Sequence, residues 1–152
     1  MVSRLLMALP VLVLTAFAIL QAATLFQQSL SFTRAQTEIS FWGRSDYQPG
    51  QATIERTGQS IAAQLQIAPE NPEYLALQAN YAQWRAYWAR GMVDQPRFAG
   101  LAVDSQYAAL QSRPAHRHSW SKMVEYAAGS TTGEAMLHKA EARLRELQPE
   151  RI

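Results

Sequence analysis

The sequence predicts an all-α protein, made of one N-terminal transmembrane helix followed by about five helices paired as antiparallel hairpins. Three observations predict it: a long uncharged run at the N-terminus, apolar residues that then recur at intervals of three and four, and prolines that end successive helices at related spacings. The chain has 152 residues, and about 120 remain beyond the apolar N-terminus, enough for one domain with a modest core.

The uncharged run comes first. No charged side chain lies between Arg4 and Arg34, and from Leu5 to Leu20 the only polar side chain is Thr15. A helix over Leu5 to Phe26 is long enough to cross about 30 Å of hydrocarbon, so residues 1–26 form the anchor. Pro10 falls in its first turns, where neighbouring groups re-satisfy the freed carbonyl. Arg4 and the α-amino group lie on one side, against a mixed set of Arg34, Glu38, Arg44 and Asp46 on the other. The positive-inside rule then places the N-terminus in the cytoplasm and the body in the periplasm, as a single-pass protein of an inner membrane. A cleaved signal is the competing reading, since Ala16, Phe17 and Ala18 have the small-x-small form that a signal peptidase needs. Ile19, Leu20, Leu25 and Phe26 prolong the apolar run past that point, which favours an uncleaved anchor. Both readings deliver the domain to the same compartment.

Residues 27–50 are expected to be a stalk and linker. Gln27 to Ser40 lacks Gly and Pro and can extend the helix outward, and Gly43 to Gly50 has the composition of a loop. The helical domain, residues 51–152, follows. Ile54, Gly58, Ile61, Leu65 and Ala68 form one narrow stripe, with Gly58 marking a close helix crossing, and Pro69 and Pro72 end the helix. Asn71 is a candidate N-cap for a helix from Pro72 to about Arg90, striped by Tyr74, Leu77, Tyr81, Trp84 and Trp88 and closed by Gly91. Pro96 to Ser112 is the next, with Phe98, Leu101, Ala102, Ala109 and Leu110 as candidate core and Pro114 as its stop. Ser119 is expected to cap a short helix through Ala128 that buries Trp120, Met123, Val124 and Ala127. The last helix starts at Thr132 or Gly133 and buries Met136, Leu137, Ala140, Leu144 and Leu147 before Pro149.

Three of these helices close alike, as A-Q-L-Q-I-A-P at Ala63 to Pro69, A-A-L-Q-S-R-P at Ala108 to Pro114 and A-R-L-R-E-L-Q-P at Ala142 to Pro149. The second and third prolines are 35 residues apart and the first two 45 apart, which places an insertion near Gly91 to Gln95. The shorter spacing is close to the 34-residue period of tetratricopeptide repeats, and Tyr74, Leu77 and Tyr81 occupy the Trp, Leu and Tyr places of such a unit. The domain is therefore expected to be tetratricopeptide-like, with an unrelated helical bundle as the alternative.

Composition and motifs narrow the chemistry. From Arg34 onward there are 13 basic and 12 acidic residues, a balance that argues against nucleic acid as a partner. There is no Cys, which excludes disulfides, thiolate catalysis, Cys-ligated zinc and a lipoprotein-type lipid attachment. His116 and His118 make an H-x-H pair beside Arg113 and Arg117, which reads as a solvated turn rather than a metal site. Ser119 to Lys122 spells S-x-x-K, but S-D-N and K-T-G motifs do not accompany it, and there is no Gly-rich phosphate loop. A non-catalytic protein without cofactor is the expectation. Trp84, Tyr87 and Trp88 crowd one helix face near Arg85 and Arg90, as core aromatics or as a surface for sugar rings or a partner's aromatic side chains. Tyr87, Trp88, Arg90, Arg117 and Lys122 are the candidate partner- or glycan-binding residues.

At Asn71-Pro-Glu-Tyr-Leu75 through Trp84, Leu110-Gln-Ser-Arg-Pro114 through Trp120, and Leu144-Arg-Glu-Leu-Gln-Pro149, the chain resembles the VpsP family of exopolysaccharide-biosynthesis proteins. It departs from that family at His116-Arg-His118, where a Pro and an aromatic residue are more usual. The resemblance implies a membrane-anchored accessory or scaffold protein of polysaccharide synthesis or export. The implied partners are the membrane, envelope proteins such as a polysaccharide polymerase or export components, and the polysaccharide itself. A periplasmic glycan-binding module and an assembly factor of another envelope complex are the alternatives.

Overall fold

The computed structural model describes residues 2–131 and 133–148, with side chains from Leu12 onward; the expectations placed on Thr132 and Pro149 fall outside the described residues. The described residues form helices α1 (Val2–Phe41), α2 (Gln51–Ile67), α3 (Pro72–Trp88), α4 (Gln95–Ser112), α5 (Arg117–Ala128) and α6 (Glu134–Glu146), with no strand among them. The fold is all-α, with five helices after the N-terminal one. α1 has 40 residues and runs through Pro10 without a break, which makes it about 60 Å long. It is long and apolar enough to cross a membrane, and its side chains are exposed from Leu12 to Gln27.

From Gln28 onward the same helix belongs to the domain, so the expected stalk is in fact its first packed element. Phe32, Ala35, Ile39 and Trp42 step by three, four and three along one face and meet Ile54, Ile61 and Leu77 in a shared core. Trp42 is buried and stacks 5.8 Å from Tyr81 and 4.9 Å from Trp88, while Phe32 lies 5.3 Å from Tyr74. These aromatic pairs, worth about 0.5–1.5 kcal/mol each beyond burial, tie α1 to α3 in parallel.

Successive helices alternate in direction. Ser31 meets Ser60 at 2.8 Å and Gln64 Nε2 donates to the Gln28 carbonyl at 3.1 Å, so α2 runs back along α1. α4 runs back along α3, because Arg113 pairs with Glu73, Ser105 Oγ donates to Gln78 Oε1 and the Arg85 guanidinium lies over the Phe98 ring. The start of α5 and the end of α6 border one notch through Arg117, Ser121, Leu144 and Gln148. The result is three hairpins, α1/α2, α3/α4 and α5/α6, in which the first helix of the first hairpin is the outer end of the membrane-type rod.

The turns follow local chemistry. Asn71 caps α3 by accepting from the Glu73 amide at 2.9 Å, with Pro72 at the first helical position. α3 ends at Trp88, two residues short of the expected Arg90, and Gly91 turns the chain with φ at +79°, a conformation that glycine adopts without strain. α5 begins at Arg117 rather than after Ser119, because His116 takes the cap position and its Nδ1 bonds Ser119 Oγ at 2.7 Å.

The second core lies between α3, α4, α5 and α6. Ala79 and Ala82 meet Ala102 and Val103, small side chains that let α3 and α4 approach closely. α3 therefore buries two faces, Leu77 with its aromatic neighbours toward α1 and α2, and its alanines toward α4. Leu101, expected in the core, is 39% exposed, because Ala99, Ala102, Ser105, Gln106 and Ala109 occupy the inward face of α4 instead. Buried polar groups are joined across elements: Gln106 Nε2 donates to the Ser119 carbonyl and Trp120 Nε1 to the Pro114 carbonyl, both at 2.8 Å. Each such bond contributes about 1 kcal/mol net and costs more if one partner is lost.

Gly58 lies where α2 crosses α3: a Cβ there would sit 2.5 Å from the Tyr81 hydroxyl. Gly58→Ala should cost about 1–3 kcal/mol in thermal unfolding of the full chain in detergent, with part recovered by adding Tyr81→Phe. An unchanged melting temperature would mean that Tyr81 gives way freely. Burial, aided by the neighbouring Glu125 carboxylate, pushes the Tyr126 hydroxyl above its ordinary pKa of 10.0. The stability this group contributes is complete below about pH 10 and is lost as pH rises toward the folded-state value. The melting temperature should therefore fall above about pH 10, and less steeply in Tyr126→Phe. Equal slopes in the two proteins would assign the alkaline loss to another group.

Candidate functional site

The alternation of helices gives the domain two ends. The near end lies beside the point where α1 leaves its exposed apolar stretch, and it carries the end of α2, the α4–α5 turn and the end of α6. The far end carries the loop after α1 and the α3–α4 turn, about the aromatic cluster of Trp42, Trp84 and Trp88.

The five candidate residues fall in three separate places. Tyr87, Trp88 and Arg90 sit at the far end. Trp88 is half-buried, 4.9 Å from Trp42 and 5.8 Å from Trp84, and it borders an open notch of about 400 Å³ with Arg85, Met92 and Phe98. Tyr87 is 53% exposed, and the Arg90 guanidinium lies 4.9 Å from its ring centre. Met92 and Val93 follow on the turn with their side chains in solvent. Arg117 is at the near end, on the notch beside Leu144 and Gln148. Lys122 is on α5, half-buried and paired with Glu125 at 2.8 Å.

Lys122 alone of the five borders the groove that the three hairpins form together, a cavity of about 270 Å³. The first helix of each hairpin supplies one wall: Phe32 and Gln36 from α1, Ala76 and Asn80 from α3, Ser119 and Lys122 from α5. Leu77 and Tyr126 form its apolar floor, and Glu73, Arg113, His116 and His118 surround one mouth at the near end. Two amides and an ammonium above an apolar floor suit the backbone and side chains of an extended segment or a helix. Gln36 and Asn80 escaped the sequence reading. The signal for Asn80 was its spacing of three and four from Leu77 and Ala76, which puts a polar side chain beside the apolar stripe.

The remaining motifs resolve simply. His116 and His118 stack edge to face with ring centres 6.2 Å apart, and no cluster of three metal-binding side chains occurs among the described residues. In the S-x-x-K segment Ser119 Oγ bonds His116 Nδ1 and Lys122 Nζ bonds Glu125, so the ammonium is engaged with a carboxylate rather than with the serine. On α4, the Tyr107 hydroxyl receives a hydrogen bond from Lys139 Nζ at 3.0 Å, which holds its pKa below the ordinary 10.0 with help from Gln111.

No protein-family model matches the chain, and no curated protein or solved structure matches it.

Proposed function

We propose that this chain is a membrane-anchored scaffold of an envelope assembly, holding a segment of a partner protein in the groove between α1, α3 and α5, and performing no chemistry itself. The carrying observation is that α1 is at once the apolar rod and a wall of that groove. Phe32 and Gln36 come six and ten residues after Phe26, so a membrane-embedded rod would hold the groove about 9–15 Å above the hydrocarbon boundary. The positive-inside asymmetry of Arg4 against the mixed charges beyond Arg34 supports a periplasmic domain at an inner membrane. The resemblance to the VpsP family supports exopolysaccharide synthesis or export as the setting, with polymerase or export components as the partners. A glycan-binding module is the second reading: Trp88 packs against Trp42 and Trp84 but also borders an open notch of about 400 Å³ beside Arg85 and Phe98.

A photo-crosslinking residue at Gln36 in living cells should yield a discrete protein adduct, and the same residue at Asp104, on the outward face of α4, should yield none. Lys122→Ala should reduce the adduct about fivefold, as loss of a charged contact in a small interface does. Equal labelling at both positions would remove the groove as the binding site. Deletion of the gene should lower secreted polysaccharide, and unchanged polymer amount and length would defeat the polysaccharide setting.

A further inference from the structure

A second cavity, a notch of about 630 Å³, lies between α1 and α2 on another side of the membrane-type rod from the partner groove. Gln27 and Leu30 form its lower edge, directly after the apolar run, and Ser31, Arg34, Arg56 and Ser60 rise above them. Arg34 and Arg56 approach it from the two helices, and neither has a carboxylate partner among the described residues. Glu38 is the one acidic side chain that borders the notch, and its Oε1 already accepts from Trp42 Nε1 and the Tyr47 hydroxyl. The hydroxyls of Ser31 and Ser60 share one hydrogen bond at 2.8 Å, which leaves the second hydroxyl hydrogen available. Two guanidinium groups and a hydroxyl bordering one open space match the charge and hydrogen-bonding needs of a phosphate group.

The height of the notch says which phosphate. The polar layer of a bilayer extends about 5–8 Å beyond the hydrocarbon on each side. Gln27 and Leu30 lie about 2 and 6 Å beyond Phe26 along the helix axis, within that layer, and Arg34 about 12 Å beyond it. Side chains on a helix lean toward its N-terminus, which for α1 is the membrane side, so Arg34 leans down toward the headgroups; α2 runs the opposite way, so Arg56 stands above the notch and reaches the phosphate only by bending its long stem downward. Below the notch, on the same face of the rod, Leu20 and Ala23 are exposed and offer acyl chains an apolar surface that continues up to Leu30.

We propose that the α1–α2 notch binds the headgroup of an anionic phospholipid, with Arg34 and Arg56 holding the phosphate and the acyl chains lying along Leu20, Ala23 and Leu30. The inference rests on the membrane-anchored reading of α1 and adds a specific lipid site to it. A bound lipid would link α1 to α2 at the bilayer surface and fix how the domain stands on the membrane.

The test uses the full chain in nanodiscs of phosphatidylcholine and phosphatidylglycerol, with the retained lipids counted by native mass spectrometry. Carbonate extraction of cell membranes comes first. A chain that leaves the membrane in carbonate overturns the anchored reading and the lipid site together, whereas one that stays integrated tests the lipid site alone. The integrated protein should retain phosphatidylglycerol in preference to phosphatidylcholine, and Arg34→Ala with Arg56→Ala should lower that preference roughly tenfold. Arg34→Lys with Arg56→Lys should lower it less. Arg44→Ala with Arg97→Ala, two arginines set against aromatic rings at the far end, should leave it unchanged. An equal loss in that control would mean diffuse charge attraction and overturn the site. Equal retention of the two lipids by the integrated protein would overturn it as well. Displacement of the lipid by millimolar inorganic phosphate would assign the notch to a soluble phosphate and also overturn the proposal.

Discussion

The structure depends on the continuity of α1. One helix supplies an exposed apolar surface in its first part and a packed face in its second, and no loop intervenes to let the two rotate independently. A residue turns an α-helix by about 100°, so the side of the rod that bears Phe32, Ala35, Ile39 and Trp42 is fixed relative to the apolar residues below it. Everything that follows along the chain is built on that face, directly through α2 and α3 and indirectly through the later hairpins.

Trp42 is the joint that makes this arrangement rigid. Its ring packs against Tyr81 and Trp88 of α3, and its Nε1 is bonded to Glu38 one turn earlier. The indole thus contributes apolar area without stranding its polar atom, the condition for burying tryptophan without cost. Elsewhere, register is set by amides and hydroxyls rather than by apolar area. Gln64 reaches the backbone of α1, Ser105 reaches Gln78, and Gln106 reaches the backbone at the start of α5. Each bond is directional, so together they select one sliding position for helices whose alanine-rich faces would pack almost as well in others.

The same alternation of helices distributes chemistry by height. The imidazoles of His116 and His118 gather at the near end with Arg113 and Arg117, while at the far end Arg44, Arg90 and Arg97 lie against aromatic rings beside the exposed Met92 and Val93. The groove between the first helices of the hairpins and the notch between α1 and α2 share the rod as a wall.

The helical class, the apolar rod, the cap at Asn71, the stops before Pro69 and Pro114 and the crossing at Gly58 were legible in the sequence, because each follows from residues close together along the chain. Tertiary structure decided what those helices do. The stalk became part of the core because Phe32, Ala35, Ile39 and Trp42 acquire meaning only when Ile54, Ile61 and Leu77 arrive from elsewhere in the chain. Trp88 packs against Trp42 and Trp84 on one side for the same reason, while Tyr87 beside it stays in solvent. α3 buries two faces, so a search for a single stripe recovered its aromatic side and passed over the alanines at 79, 82 and 86. The candidate residues were scattered over both ends and the groove, since spacing along one helix reports which side chains share a face but not which foreign helix covers it. Local periodicity is written into the chain, whereas the pairing of faces depends on contacts between residues far apart, and only folding brings those together.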